Sequence, residues 1–369
     1  MNFINRSGLP AAWTMGFRRD GRELLIVIVK ATFAIPDPDQ SAELVPAPEQ
    51  VPLVEADAFT GAPGLTAPLV ETDFAHHKPG CDVVLLGRAH APAGRLVERC
   101  EVGLRVGDLQ KRVVAVGPRV WKRRMGMVSA TPPQPFESVP LTYDTAWGGT
   151  DRTYEDEGRI EAFPANPVGC GFWRNTRDID GQPLPHTEQL GCPIESYDSP
   201  YLPQAFSPIG RNWAPRALLA GTYDGAWLAE RAPLWPDNFD ERYFQCAPTD
   251  QIIPYPVGGE PVVLKNMSPM RPVVAFALPE WPVSITFVPH QGRDITRSAH
   301  VDTLVLEPEK NRFTMTFRCT LPLGKSIFDV KETIAGNMPQ AWHRARRFPG
   351  KTYYASLADA VRARRSRRA

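Results

Sequence analysis

Short runs of apolar residues, separated by glycine, proline and aspartate, recur along the first third of the chain. The runs are rich in Val, Ile, Leu and Phe, which favour strands, and the residues between them favour turns. The pattern predicts strands at residues 23–35, 69–75, 82–91, 100–107, 111–116 and 120–128. Strands of this length and spacing are typical of a β-sandwich or a β-barrel.

The same apolar pattern returns later in the chain, after a long segment that lacks it. Residues 144–256 are dense in Pro, Gly, Asp and Trp, and this aromatic content is too high for disorder, so we interpret them as ordered loops. Ordered loops of such length often bind a partner. Further strands are predicted at residues 261–265, 271–277, 283–288, 300–306 and 312–318. We expect these later strands to form a second sheet layer.

Helices are predicted at only a few places, at residues 238–246 and 327–335 and near 340–347. Ser356, with Asp359 three residues later, resembles a capping box, so a further helix is expected to begin there. The expected fold class is therefore mainly β, with a two-layer β-sandwich or barrel-like sheets, long ordered loops and a few short helices.

The composition and the apolar pattern divide the chain into three parts. Residues 1–130 form a β-rich part, residues 131–341 form a loop-rich and β part that completes the same core, and residues 342–369 form a basic tail that is partly helical. Of the 42 basic and 41 acidic residues, nine and one respectively lie in the tail, which leaves a formal charge of −7 on the rest. The tail is either a docking arm for an acidic partner or nucleic acid, or a solvated terminus. Its arginines do not alternate with aromatic residues, so nucleic acid is not expected.

Composition supports the β-rich interpretation and bears on the compartment. The 369 residues include 39 prolines, about twice the usual share, and proline interrupts helices. The six cysteines are scattered without a Cys-x-x-Cys pair, and the sequence shows no signal peptide. The longest apolar run, residues 24–29, is too short to span a bilayer. We expect a soluble cytoplasmic protein with free thiols and no membrane insertion.

The segment LTYDTAWGGTD at residues 141–151 combines large aromatic side chains with paired glycines and aspartates. Tyr143 and Trp147 lie beside backbone that can approach a neighbour closely, which favours a rigid packed corner. Asp144 and Asp151 beside glycine leave a cation-binding loop as an alternative, although the spacing fits no EF-hand.

Several other motifs lie at separated points of the chain and together resemble one bacterial family. They are NPVGCG at 166–171, CDVVLLGRAHAP at 81–92, GPRVW at 117–121, FDERYFQCAPTDQ at 239–251, DTLVLEP at 302–308 and RFTMTF at 312–317. With residues 141–151 they resemble a family of formerly unknown function that is encoded beside effectors and spike proteins of type VI secretion systems. The resemblance runs from about residue 5 to residue 323.

The resemblance implies an adaptor or chaperone that helps a toxic effector to load onto the secretion spike. The expected partners are the effector, the spike-tip protein or both, and no cofactor is implied. The candidate partner-binding residues are Tyr143, Asp144, Trp147, Asp151, Trp173, Trp213, Trp235, Arg242 and Tyr243.

The sequence carries none of the common catalytic or metal-binding signatures. It lacks a Gly-x-Ser-x-Gly elbow, a phosphate-binding loop and a His-Glu-x-x-His pair, and its His and Cys spacing matches no common zinc module. We therefore expect a non-enzymatic protein without a metal site. The alternative that stays open is a carboxylate-dependent hydrolase or carbohydrate-active β protein that uses Asp144 and Asp151.

Overall fold

Strands dominate the computed structural model of the protein, which describes residues 1–38, 43–324, 326–348, 350–354 and 356–366. In chain order the strands are β1 (Asn2–Asn5), β2 (Ala11–Phe17), β3 (Glu23–Ala34), β4 (Ala58–Phe59), β5 (Pro68–Val70), β6 (Cys81–Leu85), β7 (Arg88–His90), β8 (Arg99–Val106), β9 (Leu109–Val116), β10 (Trp121–Arg124), β11 (Met127–Ala130), β12 (Ser138–Pro140), β13 (Trp147–Gly148), β14 (Thr150–Tyr154), β15 (Arg159–Ala162), β16 (Cys170–Gly171), β17 (Thr187–Gln189), β18 (Ile252–Ile253), β19 (Pro261–Lys265), β20 (Val273–Ala277), β21 (Val283–Pro289), β22 (Ile295–Glu307), β23 (Arg312–Pro322) and β24 (Val330–Ala335).

Helices are short. The α-helices are α1 (Ala214–Ala217), α2 (Gly225–Glu230), α3 (Gln340–Arg347) and α4 (Leu357–Ser366). The 3-10 helices are Pro92–Gly94, Tyr143–Thr145, Glu155–Glu157, Glu241–Phe244, Thr249–Gln251, Pro308–Lys310 and Ile327–Asp329.

The largest sheet has nine strands and curls into a nearly closed, barrel-like shape. Its main order is β1-β24-β21-β22-β23-β3-β2. The long strand β22 changes neighbour along its length, because its first half pairs with β21 and its second half pairs in parallel with β6. Strand β18 extends the sheet beyond β6.

A second, five-stranded antiparallel sheet, in the order β17-β9-β8-β19-β20, packs against the first. Apolar side chains of both sheets belong to one buried cluster, among them Val29 of the large sheet and Val102 of the small one. The ring of Phe313 on β23 stacks on Phe33 of β3 and on Phe276 of β20, with centroids 5.2 and 5.0 Å apart. The mainly β fold class is thus confirmed; the division into three parts stays a prediction.

Strand β3 is buried on both faces, which explains its nearly continuous apolar sequence. Alternate residues of the strand face the shared core. On the opposite face, Leu24, Ile26 and Ile28 pack against Leu53 and Phe74 of the long β3–β6 connection.

Charged residues are also buried on this outer face, and each has a partner. The ion pairs are Lys30–Asp73, Lys78–Asp82 and Arg318–Asp302. Arg318 also donates to the carbonyl oxygens of Asp73 and Ala75, at 2.8 and 2.7 Å. Burial raises the pKa of Asp302, but Arg318 and Lys78 outweigh this effect and hold the pKa below its ordinary value. These contacts fasten residues 73–82 to the large sheet.

Every predicted strand overlaps an observed one, with some boundaries changed. Residues 82–91 form two strands, β6 and β7, and residues 120–128 fall in the β10–β11 hairpin. Helix α3 and the helix after Ser356 are confirmed. The helix predicted at 327–335 is wrong, because Val330–Ala335 is strand β24, paired with β1 and β21. The helix predicted at 238–246 is reduced to one 3-10 turn.

Candidate functional site

The segment at residues 141–151 forms a packed corner inside the protein, as its sequence predicts. Strand β13 runs parallel to β16, which brings Trp147–Gly148 alongside Cys170–Gly171. The side-chain amide of the fully buried Asn166 donates to the carbonyl oxygens of Tyr143 and Trp147, at 2.9 and 3.0 Å. Gly148 has a φ of +146°, and a Cβ there would lie 2.1 Å from the Asn166 carbonyl oxygen. Only glycine fits this position without displacing the backbone.

The aromatic candidates in this region are mostly core residues. Tyr143 and Trp213 are buried and meet edge to face with centroids 5.3 Å apart. Trp147 is fully buried and meets Tyr201 at 4.8 Å. Trp173 is half-buried against the same cluster as Trp147. Their side chains therefore stabilise the corner and offer little surface to a partner.

The two aspartates of the segment hold backbone in place. Asp144 accepts hydrogen bonds from the Thr60 hydroxyl at 2.7 Å and the Ala67 amide at 2.8 Å, which ties down the β4–β5 hairpin. Asp151 accepts hydrogen bonds from the backbone amides of Thr153, Arg174 and Asn175, at 2.9, 3.0 and 3.1 Å. Burial raises the pKa of Asp151, but these hydrogen bonds outweigh it and keep the pKa below its ordinary value.

The other three candidates, Trp235, Arg242 and Tyr243, come together at the surface. Phe239 is buried beneath them and stacks on Trp235 with centroids 4.5 Å apart. Phe244 meets Phe239 edge to face at 5.6 Å, and Tyr243 meets Phe239 at 5.9 Å. We call this set, Trp235, Phe239, Tyr243 and Phe244, the aromatic floor. Ring pairs of this geometry stabilise a rigid surface.

A short local motif sets the direction of Arg242. The carboxylate of Asp240 accepts from the Arg242 amide at 2.9 Å and so caps the 3-10 helix Glu241–Phe244. It also binds the Arg242 guanidinium through Nε and Nη2, at 2.9 and 2.6 Å from Oδ2. The hydrogen bond from Arg242 is the main reason why the pKa of Asp240 is lowered. The exposed Arg242 is thus held in one orientation by its neighbour.

A buried ion pair supports the floor from below. Arg216 donates to the carbonyl oxygen of Tyr243 at 2.8 Å, and its guanidinium lies 5.7 Å from the Tyr243 ring centroid. The same guanidinium donates hydrogen bonds from two nitrogens to the Glu71 carboxylate. Burial raises the pKa of Glu71, but Arg216 and then Arg211 outweigh this and lower it. Because both partners are buried and paired, the backbone under Tyr243 is fixed.

The turn between β2 and β3 completes the site. Arg19 donates to the carbonyl oxygen of Asp237, and Arg231 donates to the carbonyl oxygen of Arg19 at 3.2 Å. The indole of Trp235 donates to the Phe17 carbonyl oxygen at 3.4 Å. Leu234 approaches the backbone of Gly21 closely, so that a Cβ at Gly21 would lie 3.0 Å from a Leu234 methyl group. The turn and the floor segment are therefore packed together.

Between the turn and the floor lies an open cleft of about 550 Å³, which we call the aromatic cleft. It is lined by Arg18, Arg19, Asp20, Pro79, Phe239, Asp240, Glu241 and Arg242. The rim carries three arginines and three carboxylates, so its formal charges balance. Phe239 is the member of the aromatic floor that lines the cleft, and the other three rings pack around it. A charged rim around an apolar base resembles the anatomy of a protein-binding surface.

Sequence reasoning did not identify the arginines of the turn. Arg18 and Arg19 precede Asp20-Gly21, a pair that favours hairpin turns, between two strands. That signal indicates a turn rich in arginine, but it does not show what the turn packs against. The contact with residues 231–242 spans more than 200 positions in the sequence and has no local pattern.

Comparison with known proteins gives one result. The profile of a bacterial family described as "uncharacterized protein conserved in bacteria (DUF2169)" matches residues 20–318. The chain belongs to this family. The DUF2169 match covers most of the range over which the sequence motifs predict a family resemblance, and its description assigns no activity. Among curated proteins and solved structures nothing matches the chain.

The DUF2169 region covers most of the aromatic cleft, from Asp20 to Arg242, while Arg18 and Arg19 lie just outside it. Among the residues that the structure describes, no group of three or more His, Cys, Asp or Glu side chains could hold a metal ion. Within the same residues, none of the helices is long and apolar enough to cross a membrane.

Proposed function

We propose that this protein is a type VI secretion adaptor or chaperone, which binds a cognate effector in the bacterial cytosol and assists its loading onto the secretion spike. The secretion context rests on the resemblance of the sequence motifs. The observation that carries the binding role is the aromatic cleft, with its balanced charged rim and its rigid floor. Effector and spike-tip protein are the partners we propose.

Exposed apolar residues lie on the segment at residues 218–228, which is joined to the cleft at one end, and they support a protein partner. Leu218 and Leu228 are 81% and 68% exposed, and Tyr223 is 52% exposed. The segment that carries Leu218 is joined to the cleft by the hydrogen bond from the Asp240 amide to the Leu219 carbonyl oxygen. Clustered exposed apolar side chains mark interaction sites, and aromatic and arginine residues often dominate binding energy. An effector surface of similar character could be covered here before loading.

The carboxylate chemistry of the alternative function finds less support. A general acid needs a raised pKa, and a nucleophilic or basic carboxylate needs free lone pairs facing a substrate. Asp144 and Asp151 are engaged by the hydroxyl and amide donors described above, and the pKa of Asp151 is lowered. Their roles in the corner favour binding over hydrolysis for this protein.

The test is co-expression with the effector encoded beside this protein, followed by size-exclusion chromatography with light scattering. We expect a stable complex that keeps the effector soluble. Leu228→Asp and Arg242→Glu should weaken it by about tenfold or more, since interface anchors contribute more than about 1.4 kcal/mol. Matched controls are Met125→Asp, which changes a residue 96% exposed in the β10–β11 turn, and Arg177→Glu, which changes another exposed arginine.

The possible outcomes distinguish a wrong function from a wrong binding surface. If no complex forms with the effector or the spike protein, the adaptor function is rejected. If a complex forms and both Leu228→Asp and Arg242→Glu bind as well as the controls, the function stands and the cleft with its neighbouring segment is the wrong surface. Thermal unfolding of each variant, measured beforehand, shows that the fold is retained.

A further inference from the structure

A second open groove lies beside the C-terminal helix α3. Its volume is about 1430 Å³. It is lined by Gly292, Arg293, Asp294, Gln340, His343, Arg344, Arg346 and Arg347, none of which lines the aromatic cleft. One wall is α3 and the other is the turn between β21 and β22. We call it the arginine groove.

Helix α3 is fixed firmly enough to form such a wall. Trp342 is buried against Val288 of β21 and Ile334 of β24, so the helix is docked on the large sheet. Arg346, one turn later, lies over the Trp342 ring at 4.8 Å and binds Asp294 of the opposite wall at 2.5 Å. These contacts hold the two walls together.

Helical spacing directs the remaining polar residues of α3 into the groove. Gln340, His343, Arg344 and Arg347 stand at positions i, i+3, i+4 and i+7, which share one face of a helix. Arg293 faces them from the β21–β22 turn. The charged and titratable residues of both walls are exposed.

The charge of the groove is unbalanced. Of the described part of the chain, four arginines and one aspartate line it, which gives a formal charge of +3. Like charges so close repel one another and attract an anionic ligand. Elsewhere the chain is acidic, with a formal −7 before Trp342, so an acidic partner is repelled by the body and attracted to this end.

We propose that the arginine groove binds an acidic polypeptide segment, a run of Asp and Glu residues on a partner protein. Guanidinium groups bind carboxylates with two parallel hydrogen bonds, and a row of them matches a row of carboxylates. The groove is large enough for several residues of a peptide. Among the residues that the structure describes, its lining includes no Phe, Tyr or Trp on which a base could stack, which disfavours single-stranded nucleic acid. The inference goes beyond the adaptor proposal and does not depend on it.

The test uses a fluorescein-labelled peptide of eight glutamates and the full-length protein, with anisotropy measured at low and moderate salt. We expect binding that weakens as salt rises, because exposed charge pairs are screened. The variant Arg293→Gln, Arg344→Gln, Arg347→Gln should bind about tenfold more weakly, since each of three exposed charge pairs contributes a factor of about two to three. Arg346 is left intact because it packs on Trp342.

The matched control removes the same charge elsewhere. Arg95→Gln, Arg124→Gln, Arg177→Gln changes three exposed arginines outside the groove and should bind the peptide nearly as well as the wild type. A second variant, Asp294→Asn, removes the carboxylate of the groove and should bind more tightly. Circular dichroism checks the fold of each.

Three results would overturn the proposal. The wild type could fail to bind the peptide at low salt. The control triple variant could lose as much affinity as the groove variant, which would mean that only net charge matters. A single-stranded oligonucleotide of equal charge could bind more tightly than the peptide at matched salt, which would make the groove a nucleic-acid site.

Discussion

The glycine at the centre of the packed corner offers a sharp test of what this motif does. Gly148 has a φ of +146°, and a Cβ there would lie 2.1 Å from the Asn166 carbonyl oxygen and 2.8 Å from the Asn166 Cβ. That carbonyl cannot withdraw freely, because it accepts from the Gly149 amide at 2.8 Å. Asn166 is itself fully buried. Gly148→Ala must therefore strain the backbone and displace a packed neighbour.

The two costs can be estimated separately. A non-glycine residue at a disfavoured φ costs about 1–3 kcal/mol, and overpacking costs about 1–3 kcal/mol more. We expect Gly148→Ala to lower the free energy of unfolding by the sum of the two, about 2–6 kcal/mol. Gly181 is the control, because its φ of +82° is also positive but no atom lies within 4 Å of its would-be Cβ. Gly181→Ala should cost only about 1–2 kcal/mol.

Equilibrium unfolding in urea, followed by tryptophan fluorescence, measures both variants. The difference between them isolates the contact with Asn166 from the cost of the backbone angle. If Gly148→Ala costs no more than Gly181→Ala, the corner is not packed as described and our reasoning fails. If the protein keeps its stability and loses partner binding instead, the motif belongs to a ligand site.

Further predictions concern charge and burial. Asp302→Leu and Arg318→Met should each lower the free energy of unfolding by about 3–5 kcal/mol, because each leaves a buried charge unpaired. The double variant should lose less than the sum of the two single losses, and urea unfolding of all three variants measures this. Burial lowers the pKa of His76 and of His300, so the unfolded chain binds protons more readily, and stability should fall as pH drops below about 6.5. His76→Phe should flatten that fall in thermal unfolding curves recorded from pH 7.5 to 5. Asp144→Ala should release the β4–β5 hairpin and speed its cleavage by chymotrypsin, with no such change at the β10–β11 hairpin.

The strands were predictable where the apolar pattern alone decides the structure. The run in β3 identifies a strand buried on both faces, and strand β19 has the predicted bounds. The helix prediction at 327–335 is wrong although Lys, Glu and Ala in this segment favour a helix locally. Pairing with β1 and β21 overrides that preference and uses the β-branched residues Val330, Thr333 and Ile334.

The ion pairs of the outer face lay beyond sequence reasoning for a different reason. Lys78 and Asp82 are close in sequence, but the Thr303 hydroxyl that also binds the Lys78 ammonium, at 2.8 Å, is 225 positions away. Its position follows from the parallel pairing of β6 with β22. No local pattern specifies which distant strand lies alongside β6.

Two tryptophans show why the candidate site was only partly predictable. Trp147 and Trp235 were selected for the same reason, as aromatic residues in a loop-rich segment. Trp147 lies in a strand whose backbone is joined to β16, so its ring is enclosed. Trp235 follows α2 and packs on the β2–β3 turn, so its ring is only half-buried. The aromatic content of a loop predicts that it is ordered; whether each ring faces the core or a partner depends on the distant segment against which the loop packs.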